Sequence, residues 1–306
     1  MTAPGSGEMA EAFEAQRPYL RRLAYATLGS SAEADDCVQE AWLRLQRVDP
    51  RDIHDLRAWL TTVVSRLALD ALGSARRRRE RYVGPWLPEP LVAHSGAAAT
   101  PEGADPADRV TLHERVTTAL LLVLERLSPA ERTAFVLHDV FGLEFGEVAD
   151  VVGRSPAAVR QLAARARRHV RTGTPRDPAS REEHERIVRA FADAWQRGDI
   201  DALLVLLDPG VVARNDGGGR ISAVRTPVEG VRRVLRMLAG MRAAVARRGV
   251  APRVQVVDVN DLPGLVMDDG EALNVAAVTI DHGRIVAIDV VRNPDKLRGV
   301  PLPWAP

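Results

Sequence analysis

The chain has 306 residues, with 42 basic groups against 41 acidic ones, one cysteine and 4% aromatic residues. At about 100–200 residues per domain, this length gives two or three domains, each large enough for its own core. The lone Cys37 excludes an internal disulfide framework and a cysteine-rich zinc site, no apolar run nears the ~20 residues that cross a bilayer, and no signal-peptide pattern opens the chain. A cytoplasmic protein is expected.

The formal net charge of +1 is an average that hides two clusters. Arg76, Arg77, Arg78, Arg79 and Arg81 form a run broken only by Glu80. Arg154, Arg160, Arg165, Arg167, Arg168 and Arg171 lie in a stretch without an acid. Basic stripes on a neutral background suit phosphate binding, and a solvated helix face reads equally well for any one run. All basic residues but Lys296 are arginine, which reads mainly as codon bias.

In chain order, residues 10–72 read as three helices. Phe13, Leu20, Leu23 and Leu28 recur at helical spacing before Gly29 stops the first. The second starts near Ala32 and carries Val38, Ala41, Trp42 and Leu45 on one face. The third runs from about Leu56 to Leu72. Residues 82–108 hold five prolines and little periodicity, and read as a linker. Residues 109–171 are helical again, and 172–180 form a second break. Beyond it, 181–207 read as two helices and 227–247 as another. Strands follow at 253–260, 264–268, 272–281 and 284–291, with Asp281-His282-Gly283-Arg284 as a hairpin turn. Helices followed by a strand meander make an α+β domain.

Residues 128–170 carry the most informative local pattern. Ser128-Pro129-Ala130-Glu131 is a capping box with proline at the first helical position, and the helix it opens ends at Gly142. A short helix spans about 144–151, Gly153-Arg154 turns the chain, and Ser155-Pro156 opens a basic helix over 156–170. Val159, Leu162, Ala163 and Ala166 form its inner face. Ser155, Ala157 and Ala158 are small enough to let it enter a major groove. Arg160 and Gln161 have the forked groups that read base edges, and Arg165 and Arg168 are placed to hold phosphates.

With that helix-turn-helix in place, the chain resembles the bacterial sigma factors of the extracytoplasmic-function type. Residues 128–170 look like sigma region 4, which implies binding of the promoter −35 element. The helix Ala34–Leu45 resembles the region 2 helix that docks on polymerase, which implies core-binding roles for Asp35, Asp36, Gln39, Glu40 and Leu43. Residues 56–66 look like the promoter-melting and −10-reading part, with Trp59, Thr62 and Arg66 toward bases and Arg76, Arg77 and Arg78 toward backbone. Taken alone, Trp42 and Trp59 read as core residues. The implied partners are the RNA polymerase core, through its β′ clamp and β flap, and promoter DNA, with the chain acting as a monomer and no membrane contact.

Three further motifs resemble the SigJ-like group, whose members carry a fused SnoaL-like domain. They are Trp86-Leu87-Pro88-Glu89-Pro90, Asn215-Asp216-Gly217-Gly218-Gly219 and Asn293-Pro294-Asp295-Lys296-Leu297. The fold class implied is multidomain: two all-α sigma domains, then an α+β SnoaL-like cone. The expected boundaries are 8–75 for region 2, 76–108 for the linker, 109–172 for region 4 and 181–298 for the cone.

SnoaL-like folds include enzymes that use a pocket carboxylate as base. Here Asp216, Asp258, Asp261 and Asp289 are the candidates, and none has a recognisable acid–base partner. No catalytic residue, cofactor or metal site is expected, and Asp258 and Asp289 are expected to face solvent or pair with arginine. The reading favoured is regulation. Trp86–Pro90 would dock near Asp216–Gly219 and Asn293–Leu297 and set the position of the promoter-binding modules, with the motifs as mere local turns as the plainer option. The alternative is a ligand-sensing DNA-binding regulator whose pocket binds or converts a small hydrophobic molecule.

Overall fold

Apolar residues at helical spacing form α1 (Ser6–Leu28), where Phe13, Leu20, Leu23, Ala24 and Leu28 are buried. Gly29, at φ 70°, ends it, and the Ser30 side chain caps the next helix by accepting from the Glu33 N–H at 3.2 Å. That helix is α2 (Ser31–Leu45), and α3 (Leu56–Arg79) follows with Leu60, Val64, Ala68, Leu72 and Ala75 buried along one stripe. The structure, a computed structural model, describes residues 6–79, 81–93, 116–302 and 304, without the side chains of Ser6, Arg76, Arg77 and Arg78. The side chains of the expected phosphate-facing trio Arg76–Arg78, the expected linker residues 94–108 and the helical residues expected at 109–115 therefore lie outside what is described, while α3 runs on to Arg79 where the linker was expected from 76.

Helix α4 (Thr118–Leu124) precedes α5 (Pro129–Phe135), which opens with the expected capping box between Ser128 and Glu131. The expected continuation to Gly142 differs in detail: Val136–Val140 winds as one π-helical turn. Then come α6 (Phe145–Val152), closed by Gly153 in the left-handed conformation, and α7 (Pro156–Gly173). Val159, Leu162, Ala163 and Ala166 of α7 are all buried, which matches the apolar stripe read from the sequence.

The chain divides into two compact units. The first holds the described residues 6–79 and 123–172, so both helical regions share it. Helix α3 packs on α5 and α6, and α1 packs on the π-helical turn. Tyr19 meets Phe141 edge to face at 5.7 Å. A charged cluster lies among these contacts: Glu125 pairs with both Arg79 and Arg132, and Arg79 also donates to the Leu28 carbonyl at 2.7 Å. Arg132 is 2% exposed.

The second unit holds residues 81–93, 116–122 and 173 onward among those described. Its seven strands are β1 (Val92–Ala93), β2 (Leu207–Asp216), β3 (Val228–Glu229), β4 (Arg253–Val259), β5 (Leu262–Asp268), β6 (Leu273–Asp281) and β7 (Arg284–Val291), in the order β1-β4-β5-β6-β7-β2-β3. Only β2 and β7 pair in parallel. Helices α8 (Arg181–Arg197), α9 (Ile200–Leu206) and α10 (Val231–Arg247) bury Ile187, Phe191, Trp195, Leu203, Val234 and Leu238 against Val211, Val278, Ile288 and Val290 of the sheet. Side chains alternate along strands, so the opposite face carries a second cluster: Val257, Val259, Val266, Val275 and Val291 with Leu87 and Leu297.

Strands β1, β2 and β3 were not expected. Pro209-Gly210 sits in an irregularity of register between Leu207 and Val212, past which β2 continues. In β1, Val92 and Ala93 oppose Val259 and Asp258 at the sheet edge, so the proline-rich segment becomes an edge strand.

Glu125 pairs with two largely buried arginines, so its removal leaves both without that counter-charge. Glu125→Ala is expected to cost the first unit about 3–5 kcal/mol, read as a drop in its urea midpoint. A midpoint equal to that of the parent would contradict the assignment.

Candidate functional site

Helix α7 presents the surface expected to read DNA. Ser155 caps it by accepting from the Ala158 N–H at 3.3 Å. Ser155, Ala157, Arg160, Gln161, Arg165 and Arg168 are exposed, and Ala158 is half-buried. The Arg160 guanidinium lies over the Phe145 ring at 5.2 Å from its centroid, and Phe145 stacks on His138 at 3.8 Å. Arg167 pairs with Asp139.

On α2, Asp35, Asp36, Gln39 and Leu43 are exposed, with Leu43 at 40%. Asp35 accepts from Arg21 at 2.6 Å and Glu40 from Arg44 at 3.0 Å. Exposed pairs of this kind contribute about 0–1 kcal/mol, so a docking partner displaces them at little cost. Trp42 packs on Phe13 at 4.9 Å between ring centroids, as its place on the apolar side implies.

On α3, Trp59 and Thr62 are half-buried, and Thr62 donates to the Ala58 carbonyl of its own helix at 3.0 Å. Arg66 is exposed but engaged: it donates to the Asp150 carbonyl of α6 at 2.9 Å. Residues expected at one promoter element therefore touch the helix-turn-helix expected at the other.

The second unit brings the three sequence motifs together around Asp216, which is fully buried. Its carboxylate accepts from the Tyr82 hydroxyl at 2.6 Å, the Lys296 ammonium at 2.8 Å, the Leu87 N–H at 3.0 Å and the Gly218 N–H at 3.1 Å. Its own carbonyl accepts from the N–H groups of Arg292 and Asn293 at 2.8 and 2.9 Å. Asn293 donates to the Tyr82 oxygen at 2.8 Å and, with Pro294 and Asp295, forms a turn that aims Lys296 inward. Lys296 also donates to the Leu87 carbonyl and lies 4.1 Å from the Trp86 ring centroid. Burial first, and then the bond to Asp216, push the Tyr82 phenol above its ordinary pKa.

Within this lock, Leu87 and Pro88 are buried, while Trp86, Glu89 and Pro90 are half-buried. The apolar anchor is thus Leu87, with Trp86 serving as a lid over the Lys296 charge. Gly217 and Gly218 are required by space: a Cβ on Gly217 would meet the Ile221 carbonyl, and one on Gly218 the Asn293 side chain. Leu297 joins the outer apolar cluster. Tyr82 belongs to the lock although it lies outside the sequence motif. Its only sequence signal is an aromatic residue just after a basic run.

The four carboxylates weighed as bases are placed as follows. Asp216 is the hub just described. Asp258 pairs with Arg181 at 2.6 Å and Asp289 with Arg214 at 2.7 Å, both buried rather than solvent-facing. Burial pushes the Asp289 carboxyl above its usual value, against the pull of Arg214. Asp261 is exposed in the β4–β5 turn at φ 63°. On the helix side of the sheet, a cavity of about 160 Å³ is lined by Trp195, Met241, Met267, Arg248, Glu271 and Arg292. Arg292 there pairs with Asp269 at 2.9 Å. Among the described residues, no group of three or more His, Cys, Asp or Glu is placed to hold a metal, and no helix is long and apolar enough to cross a membrane.

Asp216→Asn removes the charge that balances buried Lys296. We expect the 81–93 segment to leave the sheet, so that tryptic cleavage after Arg81 accelerates at least tenfold. Unchanged cleavage would show that Leu87 packing alone holds the segment.

Comparison with known proteins agrees with this geometry. The Sigma-70 region 2 family matches residues 12–78, Sigma-70 region 4 matches 117–170, and the SnoaL-like domain matches 188–288. The chain is 42% identical to the ECF RNA polymerase sigma factor SigJ of Mycobacterium tuberculosis, over 95% of this chain and 93% of that one. It is 38% identical to the probable ECF RNA polymerase sigma factor SigI of the same species, over 94% and 93%. The crystal structure of M. tuberculosis SigJ superposes with a TM-score of 0.75 at 38% identity, covering 96% of this chain and all of that one. The chain belongs to the extracytoplasmic-function RNA polymerase sigma factors, with sigma regions 2 and 4 followed by a fused SnoaL-like domain.

Proposed function

We propose that the described first unit is a closed state of this sigma factor, and that the lock around Asp216 governs its opening. The observation that carries the proposal is the bond from Arg66 of α3 to the Asp150 carbonyl of α6, within a single unit of about 125 described residues. A unit of that size has a radius of gyration of about 14 Å and is about 35 Å across. Promoter elements centred near −35 and −10 are about 25 base pairs apart, or about 85 Å along B-DNA. One closed unit cannot reach both, so α3 must separate from α5 and α6 before both elements are read.

In the open state, α7 enters the major groove of the −35 element. Ala157 and Ala158 allow close approach, Arg160 and Gln161 meet base edges, and Arg165 and Arg168 hold phosphates. Region 2 reads the −10 element through Trp59, Thr62 and Arg66, which is released from Asp150, with Arg76, Arg77 and Arg78 on the backbone. Asp35, Asp36, Gln39, Glu40 and Leu43 meet a basic, partly apolar surface of the polymerase core.

The lock acts through the chain itself. Arg79 is held by Glu125 in the first unit, and Tyr82 is held by Asp216 in the second. Only two residues separate these two anchors. Fixing the segment after α3 shortens the tether on region 2 and biases the equilibrium toward the closed state. The SnoaL-like domain thus serves regulation. Arginine or lysine pairs with three of the four carboxylates that could act as a base, which supports this role over catalysis.

Trp86→Ala uncovers Lys296 without touching either sigma region. Polymerase core saturated with this variant is expected to give at least threefold more transcript from a cognate promoter, with thermal midpoints within about 2 °C of the parent. Equal transcription at equal stability would overturn the regulatory role of the lock.

A further inference from the structure

Helix α10 buries Val234, Leu235, Leu238 and Val245 against the sheet. Its outward side carries Arg232, Arg233, Arg236 and Arg247, all exposed, with Ala239, Gly240, Ala243 and Ala246 exposed between them. From Gly230 to Val257 there are seven arginines and no acid. The chain average of 41 acids in 306 residues would place about four in a stretch of that length. The four outward arginines make no ion pair among the described residues. Arg242 and Arg248, by contrast, are used internally: Arg242 donates to the Gln196 and Arg197 carbonyls at the end of α8, and Arg248 pairs with Glu271.

Arginine abundance alone does not produce such a face. Helix α8 carries four arginines against five on α10, yet Arg186 and Arg189 stand beside Glu183 and Glu185 at 3.7 and 2.5 Å. Among the described helices of ten residues or more, only α7 and α10 carry arginine without any acid. The helix of the helix-turn-helix and this helix of the SnoaL-like domain thus share a charge pattern that the other long helices lack.

We propose that the outward face of α10 binds the phosphate backbone of promoter DNA, as a third contact that does not read sequence. Arg232 and Arg236 are one turn apart, and Arg247 lies three turns beyond Arg236, so the row spans about 22 Å. That is the length of about six or seven base pairs. The small residues between let the helix approach a strand closely while arginines at both ends reach its phosphates. Guanidinium forks match phosphate oxygens in two-point geometry. The chain is held at promoters by its sigma regions, so DNA is present at high effective concentration.

The test uses the full chain bound to polymerase core, with Arg232, Arg236 and Arg247 all changed to alanine. Affinity for a promoter fragment is measured between 50 and 200 mM salt, and core affinity is measured separately. Each lost phosphate contact removes about 0.9 from the slope of log affinity against log salt. The expected result is a slope shallower by about 2–3, at least tenfold weaker DNA binding, unchanged base preference at both promoter elements and unchanged core affinity. A triple lysine variant, which keeps the charges, should retain most of the parent slope and guards against a folding defect in the alanine variant. Parent-like slope and affinity in the alanine variant would overturn the proposal and leave a solvated face. A parent-like slope with weakened core binding would also overturn it, assigning the face to a protein partner.

Discussion

A buried carboxylate is unfavourable unless its charge and lone pairs are matched. Asp216 is matched by one ammonium, one phenol and two backbone N–H groups. Those donors come from three places far apart in sequence: the segment after the first three helices, the turn after β2 and the turn after β7. No one of them can leave without stranding the others. Lys296 is itself nearly buried and depends on Asp216 for its counter-charge. The second unit therefore includes residues 81–93 as part of its fold, with β1 as an edge strand, although they precede region 4 in the chain.

In the closed state proposed above, this constraint is what would make the sigma geometry switchable. A segment free to wander would leave region 2 and region 4 independent, as promoter reading requires. In that proposal, a segment pinned at Tyr82, next to an α3 pinned at Arg79, would keep region 2 near its closed partners. Among the described residues, the contacts within this unit include a bond from Arg66 to a carbonyl, an aromatic edge between Tyr19 and Phe141 and a charged cluster at Glu125.

Sequence reading reached some of this and missed the rest for identifiable reasons. Helix α7 was legible because Ser155-Pro156 opens it and a clean apolar stripe faces inward. The three motifs were legible as a set because they resemble those of the SigJ-like group, and the expected docking of Trp86–Pro90 near the other two rested on that resemblance. Trp86 was read as the anchor because of its size, whereas packing buries Leu87 and leaves Trp86 half-buried over Lys296. Strand β2 was missed, since Pro209-Gly210 breaks its pattern and its regular pairing resumes only at Val212. Glu125 and Arg132 look like ordinary helix-surface charges until tertiary contacts bring Arg79 beside them. Likewise, the acid-free stretch from Gly230 to Val257 was not among the two basic clusters singled out in the sequence.

The central claim is that region 2 and region 4 are held together until the factor acts. Its most direct test is a distance between them, measured with spin labels on Arg47→Cys at the end of region 2 helix α2 and Arg171→Cys on α7, with native Cys37 replaced by alanine. The account predicts a separation within about 35 Å for the free chain, set by the size of one compact unit. It predicts a separation beyond about 60 Å in the complex with polymerase core and promoter, approaching the span between the two elements. A free chain already at the longer distance, or a promoter complex still at the shorter one, would contradict it.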